Sequence, residues 1–211
     1  MIEVIAISAL TSAALTWLGS RWIDRLYARE DAPLAFPNDI SARKRFRLPL
    51  LSIGLFVCMI EIAERTPFEI IRLSIAAFLL LSITATDFEQ YVIFDRMTLP
   101  LALIGLISAI ALQLPLEDRL MAAVLGGGAF FAIAVVTHGA LGGGDIKLIA
   151  ALGLWLGTTR LLDVICIGSI AGGIAALIML ATKKMNRRDM FAYGPYFAMT
   201  ALMFLLLDQP Q

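Results

Sequence analysis

Metal ligands are scarce in this sequence. The two cysteines, Cys58 and Cys166, lie inside separate apolar runs, and His138 is the one histidine. A structural zinc site takes four nitrogen or sulfur ligands. These three side chains cannot reach one point without dragging apolar segments out of register, so zinc is not supported and each cysteine reads as a small buried apolar side chain. Charge is scarce as well: Asp, Glu, Lys and Arg make up 16% of the residues and sum to a net charge of zero, so overall charge gives no argument for nucleic acid. Long polar stretches are missing. The one extended polar segment, Arg21 to Arg47, is too short for a soluble domain. Nor is there a phosphate loop, because no lysine followed by Ser or Thr closes a second glycine at the required spacing.

What is abundant is apolar side chain, 60% of the chain, with a mean hydropathy of +0.85. Those values lie above the range of soluble domains and place the chain in a bilayer. At about 20 residues per crossing, the length allows six to eight transmembrane helices in one all-α membrane domain covering 1–211. The predicted spans are Ile2 to Leu18, Leu48 to Ala63, Phe68 to Thr86, Leu99 to Leu114, Leu120 to Val136, Ile146 to Leu156, Leu161 to Ala181 and Tyr193 to Leu207. Glu3 rather than a basic segment stands at the start of the first, which therefore reads as a retained helix. Gly168 and Gly172 have the small-xxx-small spacing of helix contact, and Leu125-Gly126-Gly127-Gly128 reads as close packing. With eight spans, 13 of the 17 lysines and arginines fall on one side, including the run Arg43-Lys44-Arg45-Phe46-Arg47, which can face acidic lipid headgroups. By the positive-inside rule that side is cytoplasmic and both termini lie outside.

Two carboxylates break this pattern on the same predicted side. Asp87 follows the third span and Asp145 precedes the sixth, after the turn Gly142-Gly143-Gly144, whose lack of Cβ atoms lets the backbone bend tightly beside the carboxylate. Without chemistry, Asp145 would be a helix cap and Asp87 a polar helix end, with Glu89 and Asp95 as solvated loop residues. His138 would be a boundary residue bonded to backbone, or would tune Asp145. With chemistry, two close carboxylates share a proton. One then acts as base towards a water while the other protonates a carbonyl, which is peptide hydrolysis without a metal. The free N–H groups at a helix start favour the ionised form of Asp145.

Gly142-Gly143-Gly144-Asp145 with Lys147-Leu148 resembles the GxGD signature of the type IV prepilin peptidases, aspartic proteases of the bacterial inner membrane. Asp87 followed by Val92-Ile93-Phe94-Asp95-Arg96-Met97-Thr98-Leu99-Pro100 is similar to their first catalytic loop. Leu18-Gly19-Ser20-Arg21-Trp22 and Tyr193-Gly194-Pro195-Tyr196 resemble two further landmarks, so the likeness runs over nearly the whole chain. The resemblance implies Asp87 and Asp145 as catalytic residues, Gly142, Gly144 and Lys147 as the supporting loop, and no cofactor. The implied substrate is a pilin or pseudopilin precursor, cut after a glycine at the cytoplasmic face, with its basic leader near Glu89 or Asp95. The implied partners are that precursor and the lipid bilayer, with no nucleic acid. Phe94 replaces the family's usual proline. The segment 21–47 stands in place of the zinc-bearing loop with two Cys-x-x-Cys pairs found in bifunctional members, so N-methyl transfer is expected to be weak or absent. Two alternatives stay open. A presenilin-like protease would need a Tyr-Asp and a Pro-Ala-Leu motif that this chain lacks. A small proton- or cation-coupled transporter would use the same carboxylates for ion binding, and its hallmark of inverted repeats is matched here only by the Leu-Gly-Gly-Gly echo.

Overall fold

The computed structural model describes residues 2–29, 32–138, 141–183, 185–186 and 191–207, and among these all regular structure is helical. The α-helices are α1 (Ile2–Tyr27), the single turn α2 (Ile40–Arg43), α3 (Arg47–Ile62), α4 (Pro67–Gln90), α5 (Asp95–Ala111), α6 (Leu116–Val136), α7 (Gly143–Ala181) and α8 (Gly194–Leu207). Of these, α1, α4, α6 and α7 are long and apolar enough to cross a membrane. Large apolar side chains cover the outer faces, for example Val124, Ile170 and Leu177, each more than 60% exposed. In water that surface would drive association, whereas in a bilayer it is the face turned to lipid.

Helix α4 is the central element. Thr66 and Glu69 close a reciprocal capping box at its start, with Pro67 as the first helical residue. Its second half, from Leu79 to Asp87, is buried without interruption. Around it the helices make close backbone contact rather than relying on water to press them together. A Cβ on Gly153 would stand 2.5 Å from the backbone nitrogen of Ala123, and one on Gly127 3.0 Å from Cβ of Ala150, so α6 and α7 meet nearly backbone to backbone. That is the packing role expected for Gly126-Gly127-Gly128.

Helix α7 would be about 58 Å long if straight. It is broken at Gly157, whose φ of 74° and ψ of 178° belong to a region open essentially to glycine alone. The limbs 143–156 and 158–181 fold back on each other, since Ile149 and Leu161 both lie within 3.1 Å of the position a Cβ would take on Gly126. The break falls between the sixth and seventh predicted spans. Two neighbours in α6 secure its ends: Asp118 accepts the Thr158 N–H at 3.1 Å, and the Arg119 guanidinium donates to the carbonyls of Leu154 and Trp155.

Three expectations need correction. Helix α1 continues past Leu18 to Tyr27, because Gly19, Ile23, Leu26 and Tyr27 form one buried face at helical spacing. Helix α4 continues past Thr86 to Gln90, so Asp87 and Glu89 are helical rather than loop residues. Cys58 is buried as expected, but Cys166 is exposed on the outer face of α7. His138 stands at the boundary as expected, exposed and left-handed at the end of α6, with its backbone N–H bonded to the Val135 carbonyl. Of the basic cluster after α7, Lys184, Arg187 and Arg188 lie outside the described residues.

Candidate active site

Asp87 occupies the last turn of α4 and is 6% exposed. Tyr91, left-handed with φ of 53°, ends that helix by returning its N–H to the Asp87 carbonyl at 3.0 Å. The chain then runs extended through Ile93 to Phe94, the residue before α5. There φ is −79°, close to the value a proline ring imposes. Phe94 therefore has a backbone shape that a proline could also take, supported by its ring contact with Tyr27, 6.1 Å between centroids.

Asp145 is the third residue of α7 rather than its cap. Gly142 is the cap, in extended conformation, and its amide points back at the Asp145 carboxylate. That arrangement places negative charge beside a free N–H and at the positive end of the helix dipole. Gly142, Gly143 and Gly144 all avoid positive φ, so the glycines are not needed for a left-handed turn. Gly144 is needed for proximity: its Cβ would stand 2.8 Å from Cβ of Ile93, which belongs to the strap following Asp87.

The two aspartates meet at the start of α8. A Cβ on Gly194 would lie 2.7 Å from Oδ2 of Asp87 and 3.2 Å from Oδ1 of Asp145, so these oxygens are no further apart than the sum of those distances, 5.9 Å. The Gly194 amide is directed at the Asp87 carboxylate. Oδ1 of Asp145 is buried without a hydrogen-bond partner among the described residues. Ile93 closes the same space, with Cδ1 2.8 Å from the Gly194 position. The buried carboxylate of Asp87, the partly buried one of Asp145 and the apolar side chain of Ile93 thus converge on the Gly194 position. A cavity of about 380 Å³, lined by Ile93, Phe94, Asp95, Arg96, Gly144 and Lys147, adjoins it. A larger apolar groove of about 690 Å³ lies elsewhere, along the Leu81, Ala85 and Phe88 face of α4, which the helical spacing turns away from Asp87.

Lys147 is half-exposed and pairs with Asp95 at 2.6 Å, tying the first turn of α7 to the first turn of α5. Asp95 is therefore accessible but occupied. Glu89 is neither solvated nor open to a basic leader. It is 4% exposed and held by Arg47 and by the Tyr27 hydroxyl at 3.0 Å. Sequence reasoning missed this cluster, and it missed Gly194 as the meeting point of the aspartates. The signal for Gly194 was present in Tyr193-Gly194-Pro195-Tyr196. Nothing local marked Arg47 and Glu89, which are 42 residues apart.

Residues 73–177 match the Type IV leader peptidase family. Relatives include prepilin leader peptidase/N-methyltransferases from three bacteria. That of Dickeya chrysanthemi is 29% identical over 77% of this chain and 60% of its own length. That of Neisseria gonorrhoeae is 36% identical over 58% and 43%, and that of Escherichia coli strain K12 is 29% identical over 75% and 72%. The chain thus spans only about half the length of the first two. No solved structure matches it. Apolar helices, the order of motifs and the matched region lead to one conclusion: the chain belongs to the type IV leader peptidase family and is a multi-pass protein of the inner membrane.

Proposed function

We infer that this protein is a membrane-embedded aspartic endopeptidase that removes the basic leader from type IV prepilin or pseudopilin precursors at the cytoplasmic membrane face, with Asp87 and Asp145 as the catalytic pair. The observation that carries this reading is the convergence of both carboxylates on the Gly194 position. Burial and mutual repulsion make the doubly ionised pair costly, so it holds one proton. The ionised carboxylate takes a proton from a water whose oxygen attacks the scissile carbonyl carbon. The protonated one gives its proton to the carbonyl oxygen, and collapse of the tetrahedral intermediate sends a proton to the departing amine. The two aspartates titrate as a unit; the helix start favours Asp145 as the initial base.

The chain functions as one peptidase domain of about eight spans, with Gly142, Gly144 and Lys147 shaping the loop around Asp145. The cytoplasmic assignment of the site rests on the excess of lysine and arginine on its side. A substrate helix in the bilayer would present its polar leader there. Methyl transfer is not part of the reading, because segment 21–47 has no thiol. The relatives are prepilin leader peptidases by name and lend the transporter alternative no support. The test is to incubate the detergent-solubilised protein with a prepilin and look for the shortened product. Asp87→Asn and Asp145→Asn are each expected to abolish it while leaving membrane insertion and abundance unchanged; a rate near the parent's in either variant removes the shared-proton mechanism.

A further inference from the structure

The last turn of α4 carries Asp87 towards α8, and Glu89 towards α1 and α3. The Glu89 carboxylate receives both arms of the Arg47 guanidinium, Nε to Oε1 at 2.8 Å and Nη2 to Oε2, and the Tyr27 hydroxyl donates to Oε2 as well. The remaining arm of Arg47 reaches Oδ1 of Asp24 at 2.6 Å and the Ser20 carbonyl at 3.3 Å. Arg47 is 2% exposed, the largest of the fully buried side chains. The backbone end of α4 is held from the same side. Arg43 donates to the Glu89 carbonyl at 3.1 Å, and the amides of Ala35 and Phe36 donate to the Gln90 carbonyl and side-chain oxygen at 3.2 and 2.8 Å. The Glu89 and Gln90 backbone carbonyls are among those that a helix end leaves without intrahelical partners.

We propose that Arg47 and Glu89 are positioning residues for the peptidase reaction, a planar clamp that sets where Asp87 stands relative to Asp145. This rests on the peptidase reading above. A buried ion pair adds little stability over apolar groups of the same shape, so stability alone does not account for it. What the pair does supply is direction, because a guanidinium fork accepts a carboxylate in one plane and one orientation. Glu89 is two residues from Asp87 within a single turn, so a shift or fraying of that turn moves both. Glu89 does not reach the reacting atoms, since its carboxylate is turned to Arg47 and Tyr27.

The test compares parent, Glu89→Gln, Arg47→Lys and the double variant Arg47→Met/Glu89→Leu in prepilin cleavage, with kcat normalised to folded protein. The double variant replaces the pair with apolar side chains and keeps the fold testable where a lone buried charge does not. A displacement approaching 1 Å is expected to lower kcat at least about tenfold with KM held within about twofold. Arg47→Lys does not rescue, because an ammonium has no fork. The pH profile carries the sharper readout. Carboxylates moved apart interact less, so the window in which Asp87 and Asp145 share one proton narrows from both sides. Parental kcat in the folded variants, or a loss that follows folded protein alone with an unchanged profile, overturns the proposal. If Asp87→Asn itself still cleaves, the peptidase reading fails instead; if Asp87→Asn is inactive and the clamp variants are parental, only the clamp fails.

Discussion

Gly194→Ala is the smallest change that reaches both aspartates at once. The new methyl would stand 2.7 Å from Asp87 Oδ2, 2.8 Å from Ile93 Cδ1 and 3.2 Å from Asp145 Oδ1, where ordinary contact begins at 3.4 Å. The isoleucine methyl can rotate aside. The Asp87 oxygen sits on a buried helix and has to withdraw by about 0.7 Å to reach ordinary contact. Since 1 Å of misplacement costs on the order of a hundredfold, a loss of between about tenfold and a hundredfold is expected, equal to about 1.4 to 2.7 kcal/mol of transition-state stabilisation. Gly194 does not occupy the left-handed region, so the backbone accepts alanine. Alanine at a helix start is at worst neutral for folding, and thermal stability should stay near the parent's. The assay is initial rate on a prepilin in detergent, per folded molecule, read as conversion to the shortened product. Cleavage by Gly194→Ala within twofold of the parent would refute the placement of the reacting group between these oxygens.

Gly144→Val should act differently from Gly127→Val: the first drives a branched side chain into Ile93 beside Asp145 and should cost on the order of a hundredfold in rate, whereas the second meets Ala150 and the Ile146 carbonyl across a helix contact and should mainly disturb packing, lowering thermal stability more than activity per folded molecule. Chelation by EDTA should leave cleavage intact if, as proposed, acid and base both come from protein carboxylates; loss of activity restored by added zinc would overturn this.

The pairing of Asp87 with Asp145 could be read from the sequence because each stands at the edge of an apolar run, on the side richer in lysine and arginine. The reason for the glycines could not. Gly144 invited a conformational explanation, yet its neighbour Ile93 arrives from 51 residues away and no local pattern records that approach. Helix ends were misplaced wherever polar residues continue a buried face: hydropathy falls at Arg21, although Ile23, Leu26 and Tyr27 keep the helical spacing. The same averaging made Arg47 one member of a basic run facing headgroups and Glu89 a solvated loop residue. In the fold the two neutralise each other out of water, and long-range charge pairing of this kind leaves no trace in composition or periodicity.

The reversal at Gly157 makes the short limb of α7 a strut cut to length. Thirteen residue steps separate Asp145's neighbour Gly144 from Gly157, and no slack loop follows, since Thr158 is already fastened to Asp118. Whatever anchors the far end therefore sets the height and compass bearing of the Asp145 carboxylate. One residue added between Lys147 and Leu156 would lift Asp145 by about 1.5 Å and turn it by about 100°, carrying it out of reach of Asp87 although neither aspartate had been touched. Asp118 and Arg119, at the opposite end of the strut, thus act on the site as the foot of a post acts on what stands at its top.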